Sequence, residues 1–153
     1  MAFHIRRQVR EAVAARLTGL TTTGSRVYVN NVDPLAIGEL PALMIRNGPE
    51  QIERMSLGQP NVYIRRAQMV LVTAVARATA APANTIDQIA AEVEVAMLGT
   101  QDALLLGGLA VDVMLVALDE PRISGEGDKI VASVDLQFQV LVNAREGIPD
   151  AVI

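Results

Sequence analysis

Ile130-Val131-Ala132-Ser133-Val134-Asp135-Leu136-Gln137-Phe138-Gln139-Val140-Leu141-Val142 alternates apolar and polar side chains over thirteen positions. Ile130, Ala132, Val134, Leu136, Phe138, Val140 and Val142 fall on one face. Ser133, Asp135, Gln137 and Gln139 fall on the other. A period of two is the signature of a half-buried strand, because successive side chains point to opposite sides of the backbone. This strand is expected to cover a core with one face and to meet solvent or a partner with the other.

Upstream, Val111 to Glu120 is apolar on both faces through its middle and reads as a central strand. The Pro121–Asp128 segment, with Gly125 and Gly127, turns the chain between the two. Earlier still, Val62 to Arg77 is an extended run of sixteen residues. At about 3.3 Å per residue it spans roughly 53 Å, against a diameter of about 40 Å for a globule of this length. It must bend or project, so an arm ending in Arg65, Arg66 and Gln68 is expected. Arg26–Val29 and Leu40–Arg46 are shorter strand candidates, with Pro41 at the start of the second. Residues 47–61, with Gly48, Pro49, Gly58 and Pro60, read as a long flexible loop, and residues 143–153 as a fraying tail.

Two helices complete the pattern. Ile5, Val9, Val13 and Leu17 recur every four residues, with Gly19 as a stop. A small aliphatic stripe of this kind favours core packing over a membrane-surface or presequence role. Thr85-Ile86-Asp87-Gln88 matches a capping box. Ile86, Ile89, Ala90, Val93, Ala96 and Met97 form a stripe behind it that closes at Gly99, with Glu92 and Glu94 on the solvated side. Helix, strands, helix, strands with hairpin-length links predicts a single α+β domain over residues 1–153. It is a mainly antiparallel sheet with two main helices packed on one face and a long projecting hairpin.

Bulk properties narrow the function classes. The chain of 153 residues is 51% hydrophobic with mean hydropathy +0.33. Its apolar charge-free run Ala67–Ala76 is ten residues long, about half of what a bilayer crossing needs. The surplus apolar surface is expected in subunit contacts. There is no cysteine, which excludes disulfides and thiolate metal sites. The basic start, without an apolar segment and cleavage site after it, reads as a mature N-terminus. Charge is uneven. Residues 1–77 hold ten arginines against five carboxylates, a balance of +5, whereas residues 78–153 hold three basic residues against twelve acids, a balance of −9. Either the two halves present complementary faces for head-to-tail association, or interleaved strands blur the difference in three dimensions.

Catalytic constellations are thin. His4 is the sole histidine and sits at a helix start, so a Ser/His/Asp arrangement has no base. Asp33, Glu39, Glu50 and Glu53 are loop carboxylates without the spacing of a calcium site, and zinc would have no nitrogen or sulfur set. Gly125-Glu126-Gly127 lacks a third glycine and a following helix, and Lys129 leads into a strand, so turn geometry explains it better than phosphate binding. No catalytic residue, cofactor or metal is assigned. Arg6, Arg7, Arg10, Arg54, Arg65 and Arg66 would suit phosphates, yet the pI is about 5.0 and Phe3, Tyr28, Tyr63 and Phe138 are the only aromatics for stacking. Protein contacts are the favoured use of these arginines.

One family combines these elements in this order. The N-terminal helix leads to Arg26-Val27-Tyr28, then to Asp33-Pro34-Leu35 and Glu39-Leu40-Pro41-Ala42-Leu43-Met44-Ile45. A long loop and extended strand follow, then a helix with Asp87-Gln88-Ile89-Ala90-Ala91-Glu92-Val93-Glu94, and the closing Val134-Asp135-Leu136-Gln137-Phe138-Gln139-Val140. Across nearly the whole chain these resemble the tail terminators, or minor tail protein U-like proteins, of long-tailed bacteriophages. The resemblance implies a virion protein, made in the host cytoplasm, that forms a six-membered ring on the head-proximal end of the tail tube. Such a ring stops tube polymerisation and offers its other face to the head-completion or connector protein. DNA passes through its lumen without sequence-specific binding, and no membrane or catalytic residue is involved. A ring needs a heterologous interface, and Arg46, Arg54, Arg65 and Arg66 are the candidate contacts, with solvated loop arginines as the plainer reading. The alternatives are a neck or head-completion protein of the same kind of virion, a nucleic-acid-binding accessory protein, and a small enzyme with a carboxylate-only site.

Overall fold

In a computed structural model the alternating stretch is strand β6 (Val131–Arg145), the spine of a seven-stranded sheet. Residues 2–30, 37–58, 62–78, 82–100, 106–125, 127 and 130–153 are described. The other strands are β1 (Val27–Val29), β2 (Ala42–Arg54), β3 (Tyr63–Arg77), β4 (Asp112–Leu118), β5 (Arg122–Ser124) and β7 (Ile148–Val152). The lateral order is β1-β2-β3-β6-β4, with β5 and β7 also on β6. Each pairing is antiparallel except β1 with β2. Helices α1 (Ile5–Leu17) and α2 (Pro82–Leu98) pack on the face that β6 turns inward. The fold is α+β, as expected.

Periodicity places the core. Ala132, Val134, Leu136, Phe138, Val140, Val142 and Ala144 of β6 are all buried, facing Ile5, Val9, Val13 and Leu17 of α1 and Ile86, Ile89, Val93 and Met97 of α2. Both helical stripes lie where their spacing put them. At the start of α1, His4 is an N-cap whose Nδ1 accepts the Arg6 amide at 3.0 Å, satisfying one of the free first-turn donors. Helix α2 begins at Pro82, three residues before the capping-box threonine. Proline at the first position needs no N–H partner, so it starts the helix earlier than Thr85 would. The Gly99 amide donates to the Val95 carbonyl at 2.9 Å. A β-carbon there would lie 2.5 Å from that oxygen, so only glycine permits this close.

Several expectations are corrected. Residues 47–54 are strand rather than loop, and Gly48-Pro49 form a bulge between Asn47 and Glu50. The bulge removes the proline's missing donor from the ladder. It also brings the Gly48 backbone so close to Met69 and Leu71 that a β-carbon would meet them at 2.9 and 2.8 Å. Residues 143–153 form the end of β6 and the returning strand β7, so the C-terminal segment is sheet and not a frayed tail. The long hairpin exists, but it is not a bare arm. β6 follows β3 from Arg77↔Val131 to Tyr63↔Arg145, and β2 follows it to Arg54↔Ile64. Finally, Val111–Glu120 is not a central strand: β4 lies at the sheet's edge, paired with β6 alone. The Asp33-Pro34-Leu35 stretch, Glu126, Asp128 and Lys129 lie outside the described residues.

Candidate assembly interface

The strand order settles how charge is distributed. β1, β2 and β3, all from residues 1–77, lie side by side on one lateral half of the sheet. β6, β4, β5 and β7, all from residues 78–153, lie on the other. The strands of the two halves do not interleave, so the bias toward arginine in one and carboxylates in the other is kept across the sheet, with Arg54–Glu146 and Arg46–Asp135 as ion pairs that bridge the halves. α1 packs against β1 and β2, where its arginines lie, and also reaches β7 of the other half, with Gln8 Nε2 donating to the Asp150 carbonyl at 2.9 Å.

Each lateral edge carries exposed apolar side chains. On the acidic side Met114 (43% exposed), Val116 (51%) and Leu118 (50%) line β4, and Ile123 (69%) lies on β5. The ladder shifts register between Leu115 and Ala117, which leaves Val116 as the extra residue of a bulge. On the basic side β1 covers only Leu43–Ile45 of β2. The stretch Glu50–Arg54 has no strand beyond it among the described residues, and Ile52 and Met55 are exposed there. An edge strand presents unpaired N–H and C=O groups, a template for further pairing.

Where β1 ends, an open hollow of about 570 Å³ is lined by His4, Arg6, Arg7, Arg10, Asn30 and Asn47. The first turns of α1 point four basic or polar side chains into it. Arg6 Nη2 donates to the Gly48 carbonyl at 3.3 Å, Arg7 Nε to Glu11 Oε1 at 2.7 Å, and Arg10 Nη1 to Asn47 Oδ1 at 2.5 Å. Arg10 Nε and Asn47 Nδ2 are buried donors with no acceptor among the described residues, a costly state unless something accepts from them. The arrangement holds the exposed guanidinium groups of Arg6 and Arg7 at the open edge, suited to a carboxylate or phosphate.

The four candidate contact arginines are not brought together. The register puts Arg46 and Arg65 on the bare face of the sheet, and Arg54 and Arg66 on the helix-covered side. Arg66 is 7% exposed and ion-paired with Glu50 at 2.8 Å, so a partner's surface cannot reach it in this fold. Arg65 Nε donates to Asn143 Oδ1 at 3.3 Å and is half-buried. Arg54 is exposed and bonded to Glu146 at 2.8 Å; that hydrogen bond and charge raise its pKa above the ordinary arginine value. Arg46 reaches across the bare face toward Asp135, 3.8 Å away. Asp135 is itself buried there, accepting from Thr73 Oγ1 at 2.5 Å and Arg122 Nη2 at 2.9 Å.

Sequence reasoning missed the β4 edge because apolar residues on both faces suit a central strand equally well. It also placed Glu92 in solvent. Instead Glu92 accepts from the Thr22 amide at 2.8 Å and from the Thr22 hydroxyl, tying α2 to the turn after α1. Burial pushes its pKa up, but hydrogen bonds from Thr22, Gln88 and Thr21 outweigh this and hold it below the usual carboxylate value. Among the described residues no three His, Cys, Asp or Glu side chains come together as a metal site. No helix among them is long and apolar enough to cross a membrane.

No family model and no curated protein matches this chain. Among solved structures, a chain of the "Virion of native gene transfer agent (GTA) particle" is similar at 20% identity and a TM-score of 0.47, over 92% of this chain and 92% of that one. At that distance the likeness assigns neither a family nor a function.

Proposed function

We propose that this chain is a structural virion protein, a tail terminator that assembles as a ring on the head-proximal end of a phage-type tail tube. The observation that carries this reading is the sheet with two unlike lateral edges, one bordered by Arg6, Arg7 and Arg10 and the other ending in Asp119 and Glu120, each with exposed apolar side chains. Two different patches that complement one another generate head-to-tail contacts, and head-to-tail contacts close into rings. The resemblance of the element order to the tail terminators supplies the rest. The ring would end tube polymerisation, present its other face to a head-completion or connector protein, and let DNA through without reading it. The reading gives the protein no chemistry to perform and no cofactor.

Co-incubation with purified tail-tube polymers tests it. Negative-stain images should show an annulus on one end of each tube, and added tube protein should no longer extend that end. Binding to DNA-filled heads with no effect on tubes would instead indicate a neck or head-completion protein. Salt-sensitive retention on DNA, with no binding to either particle, would indicate a nucleic-acid accessory protein through the Arg6–Arg10 cluster.

A further inference from the structure

We infer that the β4 edge of one copy docks on the β1–β2 edge of the next, so that the exposed arginines beside the hollow receive carboxylates from the neighbour's acidic edge. This rests on the self-assembling reading above and names the surfaces that meet. The ladders set the level of the two edges. Leu118 of β4 pairs with Leu136, which pairs with Val72, which pairs with Ile45 of β2. Asp112 connects in the same way through Leu141 and Ala67 to Gln51. β4 therefore lies level with Ile45–Gln51, just past the point where β1 ends at Ile45; there the Gly48-Pro49 bulge and the Arg6 bond to the Gly48 carbonyl interrupt the edge, so the two surfaces meet through side chains. Strand directions agree too. β2 and β4 run oppositely across the sheet, so a neighbour in the same orientation presents β2 antiparallel to β4.

Chemistry favours a second copy as the occupant. Met114, Val116 and Leu118 are exposed apolar groups on one edge, and exposed Val111 just before β4 lies level with exposed Ile52 on the other; covering these groups would release water. Charge is complementary: Arg6, Arg7 and Arg10 stand beside the basic edge, while Asp119 and exposed Glu120 end β4. A neighbour's carboxylate would meet the exposed guanidinium groups of Arg6 and Arg7, whereas Arg10 Nε and Asn47 Nδ2 are buried out of its reach. Like edges would not pair in this way, since two acidic edges repel.

Two doubly substituted chains test the inference. Variant one carries Val116→Arg and Glu120→Arg on the β4 edge; variant two carries Arg6→Glu and Ile52→Glu on the basic edge. All four positions are exposed, so unchanged thermal midpoints should certify both folds. By light scattering coupled to size exclusion, the unaltered chain should exceed the mass of one subunit and each variant alone should be a monomer. An equimolar mixture should regain species of two or more subunits, because each variant keeps one intact edge and the two reversed edges complement one another. Homodimers of either variant, assembly unaffected by the substitutions, or an unaltered chain that stays monomeric at its solubility limit would each overturn the edge pairing. Tubes still capped by both variants would overturn it while leaving the terminator reading in place. Edge-dependent oligomers that never cap tubes would do the reverse.

Discussion

The β3–β6 ladder has two ends built on different chemistry. From Val70 to Ala76, β3 faces β6 from Phe138 to Ala132, and the inward positions are Val70, Val72, Ala74, Ala76, Ala132, Val134, Leu136 and Phe138, apolar and buried. From Ile64 to Gln68, opposite Val140 to Ala144, the same inward row carries Arg66 and Gln68. Arg66 pairs with Glu50, and Gln68 is 1% exposed with both amide atoms lacking a protein partner. One end gains stability from close apolar packing. The other holds a polar group set that is partly satisfied, where loss of one member is costly and replacement of the whole set is not.

The largest effect expected from this contrast is at the dry end. Phe138 is fully buried, and Phe138→Ala should lower unfolding free energy by about 3–5 kcal/mol, read from urea denaturation. At the polar end, Glu50→Ala leaves the Arg66 guanidinium buried and unpaired, and should cost about 3 kcal/mol in the same assay. Glu50→Leu with Arg66→Met should return the midpoint to wild type or above; a double variant as weak as the single one would show that the pair itself stabilises the fold. Next comes Thr22→Val, which removes the hydroxyl bond to Glu92 and should cost about 1 kcal/mol. Glu92 also predicts a pH dependence. Its folded-state pKa is depressed, so its contribution is present at neutral pH and fades as pH falls through that folded value. Glu92→Gln should flatten this acid limb of the stability curve. The smallest effect is at Arg54, whose exposed pair with Glu146 is screened by solvent. Arg54→Ala should leave the midpoint unchanged, and a measurable loss would mean that this tip is more tightly organised than its exposure implies.

Much of this was legible from side-chain spacing. The alternation at 130–142 gave both the strand and its inward face, and the four-residue spacing of Ile5, Val9, Val13 and Leu17 gave a helix buried on one stripe. Where spacing met a special residue it misled. Gly48 and Pro49 look like a loop, yet a bulge absorbs both within β2. The capping box at Thr85 is genuine as a pattern, but Pro82 starts the helix earlier. Of the four candidate arginines, the even-numbered spacing of Arg66 with Ile64, Val70 and Val72 already put it on the inward face. Its polarity argued for solvent instead, and Glu50 from the neighbouring strand resolves the conflict.

By itself the sequence determined which segments are helices and strands, which way most side chains point, and that positive and negative charge are segregated along the chain, because all of these follow from local periodicity and composition. Only the tertiary structure decided that β4 is an edge, that Arg66 is buried, and that the strands of the two charge-biased halves stay on separate sides of the sheet. Those outcomes depend on which strands become neighbours, and pairings between residues far apart in the chain leave no trace in local spacing.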